Sequence, residues 1–479
     1  GTTLTETTGA MPTGVNEKTI TVSDVDTSDL VSARITSLTI GDGSATTAQT
    51  PSFEALKAML TINETAVEAG KTAGSVTWKF DSGTEAFDYL AEGEKLVLEY
   101  SVKVADDNGG EAGQTVTVTI VGTNDAPVVS VMSGDVTDDA NTTTSATDSL
   151  TAAGNVITNH TTDIDASDTH TIVRVNGNAD NVGQPVHGTY GDMLVKADGT
   201  YTYTLNNNAV NVQALAQDET HNEVFSVTVS DGHGGETTQD ITITVHGTND
   251  TPVAVNDTNA LLEDATAPAT GNVITNDSDV DNNHTLSVAK VEDNAANVGN
   301  AVTGSHGTVT INADGSYSYA VNNSDAAVQA LAVNETLTDA FNITVTDENG
   351  ATVNETLTVT INGTNDVPVV TAITGNVTED AASTVTTGNI ITDHTTDLDT
   401  SDTHTIIAVK GEAGNVGQTL AGIYGDMVVK ADGSYTYTLN NSADNVQALA
   451  ANETHEEVFS VTVSDGHGGE TTQDITITV

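Results

Sequence analysis

Acidic side chains recur along this chain at constant intervals, and their spacing is the first indication of chemistry. A Glu stands at positions 94, 219, 335 and 453, and twelve residues after each comes an Asp: Asp106, Asp231, Asp347 and Asp465. Thirty residues past the first three glutamates lies an Asn-Asp pair: Asn124-Asp125, Asn249-Asp250 and Asn365-Asp366. An Asp-apolar-Asp step also returns, as Asp24-Val25-Asp26, Asp163-Ile164-Asp165, Asp279-Val280-Asp281 and Asp397-Leu398-Asp399, with Asp277-Ser278-Asp279 as the other way to align the third copy. A further Asp follows in three copies, at Asp29, Asp168 and Asp402. Carboxylates and amide carbonyls are the hard oxygen donors that calcium takes in sets of roughly six to eight, with loose geometry. The competing use of the same residues is local, because Asp and Asn side chains cap turns through nearby backbone N–H groups.

The elements that position these residues are strands. Each Asn-Asp pair sits in a junction, Gly122-Thr123-Asn124-Asp125-Ala126-Pro127, Gly247-Thr248-Asn249-Asp250-Thr251-Pro252 or Gly363-Thr364-Asn365-Asp366-Val367-Pro368. Gly releases the preceding strand, and Pro fixes φ and gives no ladder donor, so each junction reads as a link between rigid bodies. The junctions are 125 and then 116 residues apart, with 116 more to residue 479, a period that means tandem domains with separate cores. The expected domains are 1–123, 124–248, 249–364 and 365–479. Residues 219–245 and 453–479 differ only at Asn222 against Glu456. In them Phe225, Val227 and Val229, then Ile241, Ile243 and Val245, alternate with polar residues, the period of half-buried antiparallel strands. Asp198-Gly199, Asp314-Gly315 and Asp432-Gly433 mark tight turns before Tyr-Thr-Tyr or Tyr-Ser-Tyr. The fold class is therefore all-β, a tandem array of immunoglobulin-like sandwiches. The first copy diverges most. It carries a short helix signal, Ser52 capping 53–60, and strands in which Val76, Trp78 and Phe80, or Tyr100, Val102 and Val104, share a face; the lone Trp reads as core.

Composition excludes several classes. With 68 acidic and 12 basic side chains the net charge is -56, which repels nucleic acid and anionic membrane surfaces and favours metal ions. The absence of cysteine rules out disulfides, zinc-thiolate sites and thiol catalysis. No apolar run reaches membrane-spanning length, and residues 1–20 lack a signal-peptide pattern. The twelve histidines lie mostly beside turns, as in Asp231-Gly232-His233, and read as solvated loop residues. His455-Glu456-Glu457-Val458-Phe459 lacks the second His of a zinc-protease helix, and no nucleophile elbow or phosphate loop is present, so an enzyme is not expected. The chain ends on Ile475-Thr476-Ile477-Thr478-Val479, where the other copies run on into a junction, as a fragment of a longer array would.

Leu-Ala-x-x-Glu, then Phe-Ser-Val-Thr-Val-Ser-Asp-Gly-His-Gly-Gly, then Gly-Thr-Asn-Asp-x-Pro resembles the VCBS-type, cadherin-like extender repeats of giant bacterial RTX adhesins exported by type I secretion. The resemblance implies calcium between successive domains. It would place Glu94, Asn124, Asp125, Asp163, Asp165 and Asp231 at the first junction and Glu219, Asn249, Asp250, Asp279, Asp281 and Asp347 at the second. The third would use Glu335, Asn365, Asp366, Asp397, Asp399 and Asp465. Asp24, Asp26 and Asp106, and at the other end Glu453, would be half-sites. The cadherin triplet's Arg is absent, and the linker's second Asn is Ala126, Thr251 or Val367.

The expected function is a calcium-rigidified extracellular stalk of a bacterial cell-surface adhesin. Its partners would be calcium ions and neighbouring repeats, and the fragment itself would be monomeric, with no nucleic-acid or membrane-insertion role. The alternatives are a sandwich that itself grips a sugar or protein, with the divergent first domain as candidate, and an accessory region of a secreted hydrolase.

Overall fold

The computed structural model describes residues 1–139 and 148–479, in two compact units, Gly1–Thr248 and Asn249–Val479. Each unit contains two β-sandwiches with separate hydrophobic cores.

In the first unit, the first sandwich faces a three-stranded sheet (Glu17–Ser23, Ala73–Phe80, Leu60–Ile62) against a six-stranded one built around Lys95–Ala105 and Glu111–Val121. Trp78, Phe80, Tyr100 and Val102 are buried between them, as their alternation requires. The expected helix is present as Phe53–Ala58, with the Ser52 hydroxyl accepting the Ala55 N–H. It is short because Met59 hands the chain directly to the strand Leu60–Ile62.

The second sandwich pairs two four-stranded sheets. One runs Met132–Thr137, Glu236–His246, Thr220–Ser230, Thr171–Val175; the other Thr151–Asn155, Thr200–Leu205, Gly191–Val195, Pro185–His187. The Asp198-Gly199 turn joins two of these strands, with Gly199 at φ +84 and the Asp198 carboxylate accepting the Thr200 N–H. Within the second unit, the sandwiches around Thr336–Thr346 and Glu456–Ser464 repeat the plan. In every copy the long hairpin before the junction is antiparallel, whereas the first strand adds to it in parallel: Met132 faces Ile241, Asp257 faces Leu357, and Ile373 faces Ile475. Periodicity alone does not distinguish this parallel edge from an antiparallel one.

Three cores contain a carboxylate. Tyr319 donates to Asp339 at 2.7 Å and Tyr437 to Glu457 at 2.6 Å, and Tyr203 pairs with Glu223 in the same way. Backbone N–H groups of Ser305 and His306 complete the shell of Asp339. A buried charge is tolerated only with such hydrogen bonds.

Candidate metal centre

The junction glycine is fixed by space. A Cβ on Gly122 would lie 1.9 Å from the Leu90 carbonyl oxygen, and on Gly363 2.3 Å from that of Ala332. This close approach brings the strand end against the turn that contains Glu94 or Glu335, and the Gly122 N–H donates to the Glu94 carbonyl at 2.9 Å. One carboxylate oxygen of Glu94 folds back onto the Ala91 N–H, and those of Glu219, Glu335 and Glu453 do the same with Ala216, Ala332 and Ala450. None of these four glutamates is among the carboxylates that converge within 4.8 Å in the described residues.

In the first unit, two acid triads flank the first junction. Glu6, Asp88 and Asp125 each place an oxygen within 4.8 Å of the others, as do Asp163, Asp168 and Asp231. Asp165 links them: its Oδ2 accepts the Asp125 N–H at 2.8 Å while Oδ1 is buried without a donor. Asn124 donates to Asp231 Oδ2 at 3.0 Å, leaving its own Oδ1 buried and unpaired. Asp231 Oδ1 accepts the N–H groups of His233 and Gly235, so this carboxylate is both a turn cap and a member of the triad. Asp24, Asp29 and Asp106 form a further triad in the first sandwich, and Asp24 also accepts the Asp26 N–H.

In the second unit the third junction repeats this arrangement. Glu263, Asp366 and Asp399 form one triad and Asp397, Asp402 and Asp465 the other. Asp399 Oδ2 accepts the Asp366 N–H at 2.8 Å, and Asn365 donates to Asp465 at 2.9 Å. The Asn249 end of this unit has the same frame: Asp250 N–H to Asp281, Asp281 N–H to Asp279, and Asn249 to Asp347. These bonds align Asp279-Asp281, not Asp277-Asp279, with the other copies. This copy has no carboxylate at the place of Asp168 and Asp402, since only Asn282 and Asn283 separate Asp281 from His284.

Glu6 and Glu263 are absent from the sequence-derived set. Glu6 is on the first strand, Thr2–Thr7, and accepts the Thr123 N–H at 2.9 Å; Glu263 follows the strand Asp257–Leu262 and accepts the Thr364 N–H at 2.6 Å. The signal was an acid at the end of each first strand, Glu6, Asp138, Glu263 and Glu379, which lies about a hundred residues from its junction. Histidines also turn out to be closer than expected. His170 meets Asp163 at 2.9 Å and His404 meets Asp397 at 2.8 Å, with both rings largely buried.

The electrostatics follow from crowding. Burial, with the neighbouring Asp125, Asp168 and Asp163 charges adding to it, pushes Asp165 up to about 6. Burial likewise raises Glu6, Glu263, Asp281, Asp366 and Asp399. Burial opposes ionisation of Asp231 and Asp465 too, but hydrogen bonds from Asn124 or Asn365 and from the backbone outweigh it and hold both below the usual range. Buried oxygens without donors on Glu6, Asp125, Asp165 and Asp168, and on Glu263, Asp366, Asp399 and Asp402, are costly as they stand. The triads themselves are all-oxygen and anionic, a donor set that suits a hard divalent cation.

Tandem all-β sandwiches with acid triads at their junctions define a cadherin-like architecture. Residues 124–247, 249–363 and 365–479 each match the bacterial cadherin-like domain, and the chain belongs to that family. It is also 38% identical over 101 residues to the calcium-binding lectin RapA2 of Rhizobium johnstonii, a match covering 21% of this chain and 41% of that protein. Among solved structures, it is similar to protocadherin gamma B2 extracellular cadherin domains 1–5 (TM-score 0.48, 13% identity, 99% of this chain and 78% of that one). It is also similar to protocadherin gamma B7 domains 1–4 (TM-score 0.45, 15% identity, 88% and 91%).

Proposed function

We propose that this chain is an extender region of a bacterial cell-surface adhesin of the VCBS/RTX kind, in which calcium stiffens the joints between sandwiches. The observation that carries the reading is the pair of acid triads at Asp125 and again at Asp366, with buried carboxylate oxygens facing no donor. Calcium, when bound, would supply the positive charge that these groups lack. The chain's own residues do the positioning. Glu6 or Glu263 comes from the preceding sandwich, Asn124-Asp125 or Asn365-Asp366 from the linker, and Asp163, Asp165, Asp168 and Asp231 or their counterparts from the next. A ligand set drawn from three segments ties two rigid bodies and the loop between them into one. The role is mechanical and extracellular, not enzymatic, with calcium and neighbouring repeats as partners.

Single-molecule stretching of the 479-residue chain tests this. Unfolding forces should be clearly higher in millimolar calcium than in chelator, and equal forces would refute the stalk. The named lectin activity of the rhizobial relative favours a second reading, a sugar-binding module. Calcium-dependent binding of the chain to a glycan array would support that alternative over a passive stalk.

A further inference from the structure

The third sandwich carries an acid group that the junctions do not use. Asp257, Asp277 and Glu355 face one another inside this domain. Asp257 is on the inward side of its strand, with Asn259 and Leu261 on the same face; Glu355 precedes Leu357, Val359 and Ile361 on the core face of the adjacent strand. Glu355 is 4% exposed, no N–H or hydroxyl group of the described residues donates to either of its oxygens, and the one side chain within hydrogen-bonding reach is the equally acidic Asp277. Asp257 Oδ2 and Asp277 Oδ2 are likewise buried and unpaired, while Asp277 Oδ1 accepts the Val255 N–H at 2.9 Å. None of the three is among the ion pairs of the described residues.

The sibling domains show what this position ordinarily holds. In register with Asp257 stand Met132 and Ile373, both core residues; Gln239 and Gln473 take the place of Glu355, and His160 and His394 that of Asp277. Three positions that carry no acid in the second and fourth domains are all acidic in the third. A lone Met-to-Asp change in a core would be a straightforward loss of stability. Three coordinated changes produce a chemically uniform oxygen pocket.

We infer that Asp257, Asp277 and Glu355 form a divalent-cation site of the calcium class inside the third domain, separate from the junction sites. The three carboxylates come from two parallel-paired strands and the loop that leads to Asp279. Asp277 and Glu355 already stand within hydrogen-bonding reach of each other, although the three side chains do not all converge within 4.8 Å as the junction triads do. Without the cation, burial pushes Glu355 up to about 8 and Asp257 to about 6, so a proton is the competing occupant.

The test is equilibrium dialysis of the full chain against radioactive calcium at pH 8, with Asp257→Met, Glu355→Gln and the junction variant Asp366→Ala. Asp257→Met installs the residue of the second domain, and Glu355→Gln that of both siblings, so at least one should remain folded by circular dichroism. Each should lower saturating stoichiometry by one ion per chain, additively with any loss in Asp366→Ala. Asp257→Met should also raise the chelator melting temperature above the parent's. Unchanged stoichiometry in a folded Asp257→Met or Glu355→Gln chain overturns the site and leaves a proton-holding cluster. No loss in Asp366→Ala would count against the junction reading alone.

Discussion

Removing the carboxylate of Asp366 should loosen the joint between the third and fourth sandwiches without unfolding either. The substitution Asp366→Ala keeps the backbone N–H that binds Asp399 and deletes only the side chain. Glu263, Asp366 and Asp399 converge within 4.8 Å. Each pair of ionised groups at that distance repels by about 0.9 kcal/mol in water, and about 3.5 kcal/mol at an effective dielectric of 20. Three pairs therefore oppose closure by at least about 2.6 kcal/mol when no cation is present. An ion at a hundred times its dissociation constant adds about 2.7 kcal/mol to the closed state. Apolar packing adds little at the linker itself, since Val367 and Val369 are 56% and 60% exposed, and its remaining ties are hydrogen bonds such as Asn365 to Asp465. The change removes no core side chain, so both cores retain their Ile, Val, Phe and Tyr packing. Because the chain has no cysteine, Thr303→Cys and Thr419→Cys, both exposed strand positions, admit one spin label on each sandwich. Pulsed electron spin resonance should give a narrow distance distribution in calcium and a broad one in chelator for the parent, and a broad one in both for Asp366→Ala. A parent distribution equally narrow in chelator would refute the reasoning.

Two further outcomes follow from the same geometry. In chelator, Asp165 carries a folded pKa of about 6 against an ordinary 3.8, so the folded state holds the extra proton. Its contribution is complete below about pH 4 and lost as pH rises through about 6, worth about 3 kcal/mol at most. Melting temperatures in chelator should fall across that window and calcium should restore them at neutral pH; a chelator melt that rises there would contradict the assignment. A Cβ on Gly469 would lie 2.0 Å from Asp465 Oδ2 and 2.9 Å from Asn365 Nδ2, so Gly469→Ala should weaken calcium binding at the third junction severalfold with the fourth sandwich still folded, as read by calorimetry.

The sequence by itself determined the architecture, because both of its signals are local. Alternation of Phe225, Val227 and Val229 with polar residues is a property of one strand, and Asp198-Gly199 specifies its turn within four residues. The 116- to 125-residue repeat then multiplies one sandwich along the chain. Asn124, Asp125, Asp163 and Asp231 were legible for a related reason: recurrence at fixed spacing separates them from the other acids in a chain this rich in them. Tertiary structure decided which acids meet. Glu6 reaches Asp125 only because the first strand joins the last in parallel, a pairing with no sequence period, and Asp88 comes from a loop that no repeat marks. The same parallel edge turns Asp257 inward beside Glu355, where the sequence shows only two more acids among sixty-eight. Spacing can nominate ligands within a segment, but a site assembled from strands a hundred residues apart is defined by the register that brings them together.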